Sequence, residues 1–235
     1  MKSRCTVSVS TTGGTATLFS FEFTVALPYL ASMDPVLGRA MRLIGDFSYN
    51  SHPNNEAFFF STIIGQMMSN TVADVIEKRI LDMCNGEMTA DAILALGAEC
   101  IRSAGVSTQK AEYMMLFAQT VKSNPSFLAN LVMKSNEEII KELTAMRGIG
   151  NWTAKMYLLF VLGRNDILPY EDGAFLQAYR WLYKTDDVRP AAIKERCKCW
   201  HPYESIAARF MYRLLDYGYT KSHSIETAEH SSTTF

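Results

Sequence analysis

Leu143-Thr144-Ala145-Met146-Arg147-Gly148-Ile149-Gly150-Asn151-Trp152-Thr153-Ala154 is the stretch that decides the fold. It reads as the end of one helix, a tight turn built on Gly-Ile-Gly, and the start of a second helix. Glycines there admit positive φ and let a ligand approach the backbone closely. The N–H groups that open the second helix, reinforced by its dipole, suit a phosphate oxygen. Ile149 is placed to fill the gap between the two helices. A turn of this kind grips a phosphodiester backbone without reading bases, so it needs no strongly basic protein around it. Taken alone, the pattern also describes an ordinary interhelical turn.

Downstream of Trp152 comes Ile167-Leu168-Pro169-Tyr170-Glu171-Asp172-Gly173-Ala174-Phe175. Pro169 ends an extended segment, and Asp172 stands where a new helix begins. Asp is a favoured N-cap, so this residue by itself reads as a cap before it reads as a catalyst.

Further out the pattern is helical almost throughout. Ser32 before Met33-Asp34-Pro35 signals a helix start, and Leu37, Met41 and Ile44 keep helical spacing up to Gly45. Helices are expected over about 56–68 and after Asn70, the latter with Val72, Val75 and Ile76 on one face. Ser107 opens a helix through Lys110, Met114 and Phe117, and Ser135 with Glu138 has capping-box spacing for a helix over 136–145. Others are expected near 151–163, 173–184, 190–197 and 203–217. The fold class is all-α. Residues 1–26 differ: Thr6 to Ser10 and Leu18 to Val25 alternate around a Gly13-Gly14 turn, which reads as a small β hairpin or a disordered extension.

Composition sets outer limits. The 235 residues are 48% hydrophobic and 20% charged, ordinary for a globular chain able to bury a core as one large domain or two modest lobes. No apolar run reaches the roughly 18 residues that span a bilayer. Thr and Gly at 11–15 break the segment after Lys2 and Arg4, which argues against a secretory signal. Cys5, Cys84, Cys100, Cys197 and Cys199 are odd in number and scattered, as free thiols in a reducing compartment are. Cys197, Cys199 and His201 have the wrong spacing for a zinc knuckle, so no metal is expected. A net charge of −1 places any contact with nucleic acid in a local arrangement rather than in the overall field.

The hairpin and the Asp172 segment together, at this separation, resemble the helix-hairpin-helix (HhH-GPD) DNA glycosylase superfamily, and within it the 3-methyladenine DNA glycosylase II branch. The likeness extends to Tyr29-Leu30 with Asp34 and Leu37, to Ile63-Ile64-Gly65-Gln66-Met67-Met68-Ser69, to Gly105-Val106-Ser107 with Lys110-Ala111, and to Trp200-His201-Pro202-Tyr203 with Ser205 and Ala207. It covers about 21–218. The resemblance implies a two-lobed helical domain over 27–220, with a central lobe at about 55–135, a second lobe from 27–54 plus 136–220, and a tail over 221–235. A flipped base is then expected in a cleft between the lobes.

The chemistry implied by the resemblance is specific. Asp172 becomes the catalytic carboxylate that stabilises positive charge on the sugar as an N-glycosidic bond breaks. Gly148, Ile149, Gly150, Trp152 and Thr153 become the DNA-binding hairpin, with Gln66 and Met67 contributing from a second turn and Met67 as an apolar wedge. Trp152, Tyr212 and Trp200 are expected to line the base pocket, where an aromatic wall selects cationic alkylated purines by about 0.5–2 kcal/mol per contact. Strand-nicking relatives carry Lys where this chain has Trp152, so a monofunctional enzyme without lyase activity is expected. The four-cysteine loop of an iron–sulfur cluster is absent, and no cofactor is expected beyond a monovalent cation held by the Gly148 and Gly150 carbonyls. The partner is double-stranded DNA with a damaged base, bound by a monomer in the cytoplasmic nucleoid or, in a eukaryote, the nucleus, with no membrane involved. The competing readings are a glycosylase for oxidised, deaminated or mismatched bases, a non-catalytic DNA-binding module, and a helical protein with no role on DNA.

Overall fold

Among the described residues, side-chain caps set the starts of six of the twelve α-helices. A computed structural model of the chain describes residues 16–47, 52, 53, 56–222, 224 and 225, with side chains from 24 onward. No strand occurs among them. They divide along the boundaries Met1–Asn50 with Arg164–Phe235, and Ser51–Gly163, into two compact units.

The Ser51–Gly163 unit holds α3 (Glu56–Gly65), α4 (Asn70–Met83), α5 (Ala90–Ser103), α6 (Thr108–Ser123), α7 (Phe127–Leu131), α8 (Asn136–Thr144) and α9 (Asn151–Phe160). Side-chain oxygens of Ser69, Thr89 and Ser107 accept the amides of Val72, Ala92 and Lys110, each such cap adding about 1 kcal/mol. The capping box is complete: Glu138 N–H donates to Ser135 Oγ at 3.3 Å, and Ser135 N–H to Glu138 Oε2 at 2.8 Å. In the core, Phe59 lies 4.7 Å from Phe117 and 5.0 Å from Tyr157, centroid to centroid. The buried face of α4 is Ala73, Ile76 and Ile80. Val72 and Val75 are about half exposed, against the sequence expectation, because the cap at Ser69 fixes the register and turns those two positions outward.

The other unit holds α1 (Ala16–Met33), α2 (Pro35–Ile44), α10 (Gly173–Tyr183), α11 (Pro190–Cys197) and α12 (Glu204–Asp216), with 3-10 turns at Lys198–Trp200 and Tyr219–Lys221. Its centre is a buried carboxylate. Asp34 Oδ1 caps α2 by accepting the amides of Val36 and Leu37, while its Oδ2 accepts the Tyr183 hydroxyl at 2.6 Å and the Trp200 indole N–H at 2.9 Å. One side chain thus joins the start of α2, the end of α10 and the turn after α11.

Four further expectations change. The alternation over Leu18 to Val25 lies inside α1, not a hairpin strand: in so apolar a run a period of two and a helical face look alike, and Ala26 and Leu30, four apart, are both fully buried. The first part of that expectation, residues 1–15, lies outside the described residues. The hairpin helices group with the Ser51–Gly163 unit rather than with the residues after 163, because α9 packs on α3 and the His52 amide donates to the Phe160 carbonyl at 2.8 Å. Residues past 221 are not all tail: the Trp181 indole donates to the Ser222 carbonyl at 2.8 Å, and Ile225 is buried. The start of α2 is capped by Asp34, two residues later than Ser32.

Candidate functional site

The residues singled out by the sequence fall in both units, and each group has its own local logic. In the Ser51–Gly163 unit, α8 and α9 are joined by residues 145–150. Gly148 has φ +90°, and a Cβ there would stand 2.4 Å from Cγ of Tyr113. No other residue fits both constraints. Ile149 is 4% exposed and its amide donates to Met146 O at 3.2 Å, so it does fill the space under the turn. Gly150 is the N-cap of α9, extended and exposed, with nothing within 4 Å of an added Cβ. No side chain caps this helix. Its first-turn amides and the positive end of its dipole therefore meet the surface at a position bare enough for a phosphate to approach. Arg147, next to the turn, is exposed and adds a positive charge there. Trp152 is half-buried and Thr153 buried.

A second turn, Gly65–Ser69, belongs to the same unit. The Gln66 side-chain amide donates to the Gly148 carbonyl at 2.7 Å. Met67 is left-handed, at φ 54°, and completely exposed, which rules out a place in the core. Lys110 donates through Nζ to the carbonyls of Ile64 at 2.9 Å and Gln66 at 2.5 Å. Burial pushes its pKa below the ordinary lysine value. Sequence reasoning matched Lys110 only as part of a motif; the signal available was a cation in the first turn of a helix, where the dipole disfavours it.

In the other unit, the segment leading to the carboxylate is pinned at both ends. Ser205 Oγ accepts the Ile167 amide at 3.0 Å, and the Ser205 amide donates to Asn165 O at 2.8 Å. The Asp172 amide then donates to Pro169 O at 2.9 Å, closing a turn that brings Asp172 to the N-cap of α10. Its Oδ1 accepts the Phe175 amide at 2.7 Å, and the residue is 4% exposed. The cap reading of Asp172 is correct: its Oδ1 is the oxygen that takes the Phe175 amide.

The aromatic candidates separate. Trp200 is fully buried, with its indole N–H on Asp34 and an edge contact to Phe175. It is a core residue, not a pocket wall, because its polar edge is already satisfied inside the unit. Tyr212, on α12, is 3% exposed, so Trp152 is the most accessible of the three. Among the described residues no group of three or more His, Cys, Asp or Glu side chains comes together as a metal site. Cys197 is buried, its thiol pushed well above the ordinary cysteine value by burial and by Asp34. The Cys199 thiol donates to the Arg196 carbonyl, and His201 pairs with Glu204 at 3.0 Å. Nor, among the described residues, is any helix long and apolar enough to cross a membrane.

A helix–glycine turn–helix and a capped carboxylate after it define a class of DNA-repair protein, and comparison with known proteins bears this out. Residues 60–202 match the model of the HhH-GPD superfamily base excision DNA repair proteins. The chain belongs to that superfamily. It is 26% identical over 206 residues to DNA-3-methyladenine glycosylase 1 of Schizosaccharomyces pombe, covering 83% of this chain and 90% of that protein. Its fold is similar to that of a DNA-3-methyladenine glycosidase from Bacillus halodurans, with a TM-score of 0.74 at 28% identity over 87% of this chain and 95% of that one. A Schizosaccharomyces pombe 3-methyladenine DNA glycosylase in complex with abasic DNA shares the fold, with a TM-score of 0.71 at 24% identity over 80% of this chain and 95% of that one.

Proposed function

We propose that this protein is a monofunctional DNA glycosylase of base excision repair that hydrolyses the N-glycosidic bond of alkylated purines in double-stranded DNA. The observation that carries the reading is Asp172: a carboxylate held by one oxygen at a helix N-terminus, on the segment after a glycine hairpin with an uncapped helix end. The uncapped end at Gly150 binds a phosphate of the damaged strand, and Met67 enters the stack where the base has left it. Trp152, half-buried, supplies an aromatic face to the extruded base. As the bond from C1′ to the base nitrogen breaks, its electron pair leaves with the base and the sugar becomes cationic. The Asp172 carboxylate stabilises that cation. Water oxygen then bonds to C1′ and gives up its proton to the carboxylate or to solvent. No amine stands in the hairpin at Trp152, so no Schiff base forms and the strand stays intact.

A monovalent cation at the hairpin would draw on the Gly148 and Gly150 carbonyls. Both already accept hydrogen bonds, from Gln66 at 2.7 Å and from the Ala154 amide at 3.0 Å. Each of these oxygens keeps a second lone pair for an ion, and no step is assigned to one. The protein acts as a single chain wherever the cell keeps its DNA.

The test uses wild type and Asp172→Asn on methylated DNA, with chromatography of released bases and hot-alkali cleavage. Free 3-methyladenine or 7-methylguanine from the wild type only, with breaks only after alkali, is the expected result. Breaks without alkali would remove the monofunctional reading. Preferential release of uracil or 8-oxoguanine would replace the substrate class.

A further inference from the structure

Lys110 stands in the first turn of α6, a helix end that disfavours a cation. Ser107 anchors its backbone by accepting its amide at 3.4 Å. The half-buried ammonium is held by carbonyls of another element, Ile64 and Gln66, at the C-terminal end of α3 where the dipole is negative. Those two carbonyls bracket Gly65 and lead directly into Met67, a non-glycine residue in the left-handed region and fully exposed. A side chain with a Cβ enters that region at a cost, which contacts that hold the turn offset. Gln66, whose carbonyl Lys110 holds, sends its own amide to the Gly148 carbonyl. A continuous chain of contacts therefore runs from the Lys110 ammonium through the Gly65–Ser69 turn to the glycine hairpin.

We propose that Lys110 is a positioning residue for DNA engagement: its ammonium clamps the Gly65–Ser69 turn so that Gln66 closes on the hairpin carbonyl and Met67 is displayed outward. Lys110 touches no DNA itself. The inference rests on the reading of the hairpin and Met67 as DNA-contacting elements.

The test is a double-mutant cycle of Lys110→Met and Met67→Ala, read as affinity for a duplex carrying a tetrahydrofuran abasic-site analogue and for the same duplex undamaged. Lys110→Met is expected to lose about tenfold in affinity for the abasic duplex with little change for the undamaged one, and Lys110→Arg to recover most of the loss. Because Lys110 acts through the displayed turn, the double variant should bind about as weakly as the weaker single one. Losses that multiply, or a Lys110→Met protein that binds like wild type, overturn the proposal. Should Lys110→Met fail to fold, Lys110→Gln takes its place in the cycle with the same two outcomes. Wild type that does not distinguish abasic from undamaged duplex would instead overturn the glycosylase reading, and this inference with it.

Discussion

The side-chain amide of Gln66 donates to the carbonyl of Gly148 at 2.7 Å, across 82 positions of sequence. It fixes the hairpin turn by that carbonyl, while the Tyr113 side chain fills the place where a Gly148 Cβ would stand. Removing a hydrogen bond of this kind costs about 1 kcal/mol, roughly fivefold in an equilibrium constant. Gln66→Ala should therefore weaken abasic-duplex binding about fivefold. Gln66→Glu should be worse despite its closer shape, since a carboxylate oxygen then faces a carbonyl oxygen. Fluorescence anisotropy orders the three proteins, and a Glu variant that binds better than Ala would rule out the hydrogen bond as the functional contact.

The two hairpin glycines should separate stability from binding. At Gly148 a methyl group meets both positive φ and the Tyr113 side chain at 2.4–2.6 Å. Gly148→Ala should lose about 2 kcal/mol or more in urea denaturation. Tyr113→Ala in the same chain should return the steric part of that loss and leave the conformational part. Gly150 has φ −98° and open space around an added Cβ. Gly150→Ala should keep the fold within about 1 kcal/mol, since the change is only that of an N-cap residue, while weakening phosphate approach and DNA affinity. Equal urea midpoints for the two variants would contradict this division.

The range of each interaction decides how much of the fold and site is legible in the sequence. Caps and turns are local, so Ser107, the Ser135–Glu138 box and the Gly148–Gly150 turn can be read off directly. Asp172 can be read as a cap because its partner amide is three residues away, while the catalytic role proposed for it comes from the family resemblance. Long-range partners cannot be read. Asp34 lies two residues past the helix start that the sequence marks at Ser32, and its second oxygen is spent on Tyr183 and Trp200, 149 and 166 positions away. That contact is what moves Trp200 from candidate pocket wall to core. The helix Ala16–Met33 escapes the sequence for another reason: Phe19, Phe21, Phe23 and Val25 alternate with Ser20, Glu22 and Thr24, which is a strand's period inside a helix.

Substitution should pull apart the cap that Asp172 forms and the catalytic charge proposed for it. Asn can still accept the Phe175 amide, whereas Ala cannot. Asp172→Asn should hold its melting midpoint, and Asp172→Ala should lose about 1 kcal/mol with the cap. Both should lose base release from methylated DNA by roughly a hundredfold or more, because neither carries the anion. Retained activity in the stable Asn variant would refute the role assigned to the charge.

The Asp34 cluster predicts an alkaline weakness. Burial first, and the neighbouring Asp34 carboxylate second, push the Tyr183 pKa well above its ordinary value. The folded chain then keeps a proton that the unfolded chain has lost. The stabilisation is complete below the unfolded tyrosine value of about 10 and drains away as pH rises beyond it, by up to about 1.4 kcal/mol per pH unit. Tyr183→Phe removes this titration, so its urea midpoint should fall less steeply than that of the wild type between about pH 9.5 and 11. At neutral pH the same variant should be less stable by about 1–2 kcal/mol, because Asp34 Oδ2 keeps only the Trp200 indole of its two donors. Tyr179 and Cys197, whose pKa values burial also raises, titrate in both proteins and cancel in the comparison. Parallel alkaline profiles for the two proteins would show that the Tyr183 hydroxyl does not report on the buried carboxylate.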